Sequence, residues 1–167
     1  MNQGTGPSRQ IIEQYFGSEF NQTLLEKLEE VPLAGGDWLF HEGDPGDSLF
    51  FLVRGRLQVW SEAKDSEGRE QHRLLGEVVP GDSVGEVGLL SGEVRSAGIR
   101  AIRDSLLLRL GRAAFVSLAK EHPGLVMTLA ANIAQLVQKS SSQSGSRNRR
   151  LATIALLPLH DSPREQQ

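Results

Sequence analysis

The chain has 167 residues, no cysteine and a formal net charge of −3, with a pI near 5.8. That length suits one domain with extensions, large enough to bury a core, while the lack of cysteine excludes disulfides, thiol catalysis and cysteine-ligated metal. The mild acidity argues against a general nucleic-acid binder.

The apolar runs, such as Leu49 to Val53 and Ile154 to Leu157, fall far short of the roughly eighteen residues that a membrane-spanning helix needs. Met1 to Ser8 lacks the basic and apolar regions of a secretory signal, so an intracellular protein is expected. Residues 1 to 8 are rich in Gly, Pro and Ser and read as disordered, within a flexible or helical N-terminal segment covering 1–19. Asn21 can cap a helix through Leu24, Leu25 and Leu28.

After Pro32, glycine-rich turns punctuate short apolar runs at spacings of roughly eight to twelve residues, the pattern of an antiparallel β-roll or sandwich. The expected strands are Trp38 to His41, Leu49 to Val53, Arg56 to Trp60, Glu70 to Leu75, Ser96 to Ile102 and Ser105 to Leu110. Gly55 suggests a tight hairpin and Lys64 to Gly68 a looser one. Trp38 and Trp60 read as packing residues, and Arg100, Arg103 and Arg109 as solvent-facing positions on strands.

Between these strands lies the stretch with the most chemistry, Gly85-Glu86-Val87-Gly88-Leu89-Leu90 followed by Arg95-Ser96-Ala97. A turn glycine opens about one turn of helix, whose first N–H groups are unpaired and suit an anion. Arg95 adds a cationic fork for phosphate oxygens and Ser96 a hydroxyl donor. Glu86 repels an anion but accepts from sugar hydroxyls, so the set describes a nucleotide site; a plain Glu86–Arg95 ion pair is the simpler reading. Gly81-Asp82-Ser83-Val84-Gly85 also matches the G-x-S-x-G elbow of serine hydrolases. No histidine or aspartate motif accompanies it, and the alternating α/β layers it requires are missing.

From Gly111 the periodicity turns helical. Arg112 to Glu121 reads as a short helix, and Pro123 suits the first turn of another, with Leu125, Leu129, Ile133 and Leu136 on one face. That stripe could pack on the roll, cover a ligand or join a second subunit. Residues 141–150 read as a Ser-, Gln- and Arg-rich linker. Leu151 to Leu159 then reads as a buried strand, so 151–167 is expected to begin a following domain.

Gly85-Glu86 and Arg95-Ser96-Ala97, with Gly43-Asp44, Gly55 and Gly81-Asp82 before them, resemble the cyclic nucleotide-binding domain family over roughly residues 20–140. The resemblance implies a fold that is mainly β with flanking helices, an antiparallel jelly-roll-like β-roll. It assigns Glu86 to the ribose 2′-hydroxyl, Arg95 to the cyclic phosphate, Ser96 with nearby backbone amides to the remaining oxygens, and Val59 and Leu75 to the base or sugar, with Gly85, Val87 and Ala97 also in the ligand-binding set. The implied ligand is cAMP, or alternatively cGMP, with no cofactor, no metal and no catalysis in this chain. The linker and apolar tail are similar to the region after such a module in patatin-like phospholipases of the neuropathy target esterase type. By that resemblance the partners are a downstream esterase domain and, through the last helix, a second copy, with membrane contact belonging to the full-length protein. Three alternatives remain: a degenerate module that binds no nucleotide and serves in interaction or membrane docking, a ligand-gated transcription factor, and hydrolysis at Ser83.

Overall fold

The computed structural model describes residues 6–18 and 21–142. In chain order its elements are α1 (Pro7–Phe16), α2 (Asn21–Lys27), β1 (Glu29–Leu33), β2 (Trp38–Phe40), β3 (Ser48–Lys64), β4 (Glu70–Val78), β5 (Ser83–Val84), α3 (Glu86–Ser91), β6 (Gly98–Gly111), α4 (Arg112–Glu121) and α5 (Pro123–Ser142). The strands form one antiparallel sheet in the order β1-β6-β3-β4, with β2 on β6 and β5 on β3. This is the expected mainly β roll with flanking helices.

The run Leu49 to Val53 is apolar without interruption because both faces of β3 are covered. Leu49, Phe51 and Val53 point into a core shared with Ile12, Tyr15 and Phe16 of α1, Leu24 of α2, Phe115 and Leu118 of α4, and Leu129 of α5. Phe50 and Leu52 point the other way, into the interior of the roll with Leu57, Val59, Val78, Val84, Ala97 and Ile99. One strand therefore separates a helical layer from a β interior.

Gly55 makes no hairpin. Residues before and after it pair with the same strand, Ser48 opposite Gly111 and Trp60 opposite Gly98, and the register shifts on either side of Arg54 and Arg56. The glycine, at φ +104, lets a continuous 17-residue strand bend. The two strands expected at Ser96 to Ile102 and Ser105 to Leu110 are likewise one, bent opposite Gly55. The looser turn is present, with the Gly68 N–H bonded to the Asp65 carbonyl.

The expectation of disorder over residues 1 to 8 fails at its end, because Pro7 and Ser8 open α1. Pro7 fits the first turn, and Ile11, Ile12, Tyr15 and Phe16 bury one helical face. Strand β1 was not expected. Its Glu29, Glu30 and Pro32 give it the polar, interrupted look of an edge strand. In α5 the side chain of Leu129 is buried in the helical-layer core; those of Leu125, Ile133 and Leu136 lie outside the described residues. So do positions 143–150 of the expected linker and all of 151–167, whereas 141 and 142 end α5. Among the described residues no helix is long and apolar enough to cross a membrane.

An alanine at position 55 would be forced into a left-handed backbone, and its Cβ would overlap the Ser105 side chain. Gly55→Ala should therefore lower stability by about 2 to 4 kcal/mol, read by urea denaturation.

Candidate functional site

The cassette is built around Gly85, the left-handed residue (φ 89) that caps α3. A side chain here would also collide: a Cβ would overlap Arg95 Nη1 and lie 2.8 Å from the Ser48 carbonyl. The missing side chain lets the arginine cross directly over the cap. Arg95 Nη1 donates to the Gly85 carbonyl at 3.1 Å and Nη2 to the Ser48 carbonyl at 2.8 Å. The backbone of Arg95 is pinned as well, its N–H donating to the Asp44 carbonyl and its own carbonyl accepting from Gly43 N–H, both at 2.7 Å.

Arg95 is only 4% exposed, and its Nε has no partner. Burial draws the guanidinium pKa down, and the carboxylates of Asp47, Glu86 and Asp44 act against that. The guanidinium nevertheless remains cationic at ordinary pH. Its carbon lies over the Phe40 ring, 4.2 Å from the centroid.

Glu86, the first residue of α3, is 1% exposed, and neither carboxyl oxygen has a hydrogen-bond partner. It forms no ion pair with Arg95, so the simpler expectation of a salt bridge is not what the structure contains. Burial raises its pKa to about 7; its own backbone N–H and Arg95 oppose this. Since both oxygens lack a partner, the backbone N–H contact falls short of hydrogen-bonding geometry. Burial pushes the hydroxyl of Tyr15 in α1 up to about 12, with the Ser83 side chain lowering it and the charges of Asp82 and Glu86 adding to the rise.

Gly85, Val87, Gly88, Arg95 and Ser96, together with Phe40, Glu93 and Val94, line a cavity of about 460 Å³. Glu86, Ala97, Val59 and Leu75 do not line it. Ala97 and Val59 are buried in the roll interior with Leu75 against them, in the same cluster that Phe40 joins. A larger concavity of about 770 Å³ lies away from the cassette, around Pro32, Arg54 and Ser105.

The floor of the smaller cavity is held by close packing. A Cβ on Gly46 would lie 2.7 Å from Gly88 Cα. Arg112, the first residue of α4, donates from Nη2 to the carbonyls of Gly88 at 2.5 Å and Gly46 at 3.2 Å. Arg109, expected to face solvent, instead bonds Ser48 Oγ and Glu29, each at 2.9 Å. Ser83, the serine of the hydrolase-like motif, is 4% exposed on β5, beside the Tyr15 hydroxyl. Phe40 and the Ser48 carbonyl were missed in the sequence: one looks like core, and the other is backbone, which carries no residue-type signal.

The sequence model of the cyclic nucleotide-binding domain family matches residues 30–122. The chain belongs to that family. A cyclic nucleotide-binding domain from Methylobacillus flagellatus shares its fold, with a TM-score of 0.71, 23% identity and coverage of 83% of this chain and 78% of that one. A protein named lysophospholipase nte1 from Aspergillus terreus is 31% identical over 147 residues, 79% of this chain and 9% of that protein. A protein of the NTE family from Mycobacterium tuberculosis is 29% identical over 133 residues, covering 80% of this chain and 21% of that protein. The chain thus spans a small part of the relatives it matches.

A carboxyl group with a raised pKa in the folded state holds its proton more tightly there than in the unfolded chain. Its stabilising influence is full below the ordinary glutamate value and is lost as pH rises toward about 7. Glu86→Gln should therefore gain stability relative to wild type between pH 5 and 7. The difference should level off above pH 7 at on the order of 3 kcal/mol, measured by denaturant unfolding across pH.

Proposed function

We propose that the chain is a regulatory module that binds a cyclic nucleotide, cAMP in preference to cGMP, and passes the event to another domain of a longer protein. The observation that carries this reading is a pair of sealed, underused groups within one cassette. Arg95 holds an unspent donor, Nε, and Glu86 holds two unspent acceptor oxygens. Buried polar groups are normally paired, and leaving them unpaired costs about 1 to 3 kcal/mol each. A cyclic phosphate supplies acceptors for the first and a ribose hydroxyl supplies a donor for the second. Ser96, which lines the same cavity, adds a hydroxyl for a further phosphate oxygen. Gly85, Val87 and Ala97 would contribute backbone groups, and Val59 and Leu75 an apolar flank for sugar or base.

The proposed mechanism rests on the packing. Groups closed to solvent are reached only if α3 or its cover moves, so binding selects a rearranged cassette. Leu89 of α3 is buried in the core that contains Phe115, Leu118 and Leu129, and Arg112 ties α3 to the start of α4. A shift of α3 therefore reaches α4 and α5, which lead toward residues 141–150 and the domain expected beyond them. In the longer relatives named lysophospholipases, the domain receiving that shift would be the esterase. The preference for cAMP rests on its being the commoner ligand in the family.

Isothermal titration with cAMP and then cGMP tests the reading. Saturable one-to-one binding near micromolar, about −8 kcal/mol, is expected for wild type. Loss of a charge-assisted hydrogen bond contributes about 1.5 to 3 kcal/mol, so Arg95→Ala should bind roughly ten- to a hundredfold more weakly, and Glu86→Ala should lose less. Equal affinity of wild type and Arg95→Ala would overturn the assignment.

A further inference from the structure

We propose that Phe40 is a positioning residue for phosphate recognition, the platform that holds the Arg95 guanidinium in the orientation an anion needs. The inference rests on the nucleotide-binding reading for its ligand and on the geometry of β2 for everything else.

Strand β2 is only three residues long, yet its register on β6 shifts within that length. Trp38 lies opposite Arg100 and Phe40 opposite Ile99, two steps along β2 against one along β6. The extra residue is a β-bulge, which rotates the following side chain to the other face. Without it, Leu39 and Phe40 would alternate between faces. With it, both pack against the roll interior, and Phe40 also lines the cassette cavity.

The role of Phe40 there is set by its neighbours. Its ring lies 5.9 Å from that of Phe50, a buried core residue, which supports it. The Arg95 guanidinium carbon lies over the Phe40 face at 4.2 Å and at 5.8 Å from the Phe50 ring. The negative face of an aromatic ring attracts a planar cation, most strongly where water is excluded. The Gly85 and Ser48 carbonyls fix two guanidinium nitrogens from its edge, but hydrogen bonds along one edge leave the plane able to tilt. The ring restrains that tilt. A guanidinium already held flat loses less freedom when it meets phosphate.

The claim is separable from core packing, because a leucine fills much of the space without offering a π face. Two measurements test it. The first needs no ligand: the Arg95 Nε–H resonance in proton–nitrogen NMR, assigned by its loss in Arg95→Lys. Wild type and Phe40→Tyr should show a ring-shifted, slowly exchanging signal, and Phe40→Leu should lose both properties while still unfolding in a single cooperative transition. The second is cAMP affinity: Phe40→Leu should weaken binding about three- to thirtyfold, and Phe40→Tyr should restore it. In the Arg95→Lys background, where no planar cation remains, Phe40→Leu should change affinity less than about twofold.

An Arg95 Nε–H signal identical in wild type and Phe40→Leu would overturn the proposal whether or not nucleotide binds. Equal affinities for wild type and Phe40→Leu would overturn it with nucleotide binding intact. Absence of binding by wild type, with the NMR result as expected, would sink the nucleotide reading and leave the platform standing.

Discussion

A single buried guanidinium organises this site. Arg95 reaches the carbonyl that caps α3, the carbonyl at the start of β3 and, through its own backbone, the loop at Gly43 and Asp44. Burying a cation is expensive unless its N–H groups are used, and here two of the three nitrogens are satisfied by backbone rather than by a counter-charge. The consequence is a cation kept out of water without being neutralised. Much else in the cassette serves that arrangement. Gly85 has no side chain so that the arginine can cross it, and Gly46 and Gly88 are bare so that loop and helix can close over the floor.

The carboxylate makes the complementary case. Glu86 sits in the same short helix with both oxygens unpaired, and it escapes much of the cost of burial by holding a proton near neutral pH. A site that keeps one cation and one uncompensated acid behind its own packing is destabilised until something supplies the missing partners. Leu89 joins α3 to the helical-layer core, the contact through which the proposed signal would pass. The long strand is the divider through which both layers are held in register.

The cassette was legible because its signal is local. Gly85, Glu86, Arg95 and Ser96 fall within a dozen residues, and their types and spacing carry the chemistry directly. The helices after Gly111 and the turn at Gly68 were readable for the same reason. Gly55 misled because a positive-φ glycine between two apolar runs looks the same in a hairpin and in a bulged strand; only pairing with β6, some fifty residues away, decides between them. The burial of Glu86, the partners of Arg109 and the role of Phe40 are products of long-range packing, for which neighbouring residues hold no trace. A bulge in a three-residue strand is equally invisible when its partner strand is unknown.

The most direct test of the account is calorimetric titration of cAMP at pH 7 in two buffers of different ionisation enthalpy. A ribose hydroxyl donating to Glu86 favours the ionised carboxylate, so binding should release about half a proton. The observed heat should then differ between the buffers in wild type and not in Glu86→Gln. Saturable binding with no buffer dependence would contradict the role given to Glu86, and no saturable heat in either buffer would contradict the nucleotide site itself.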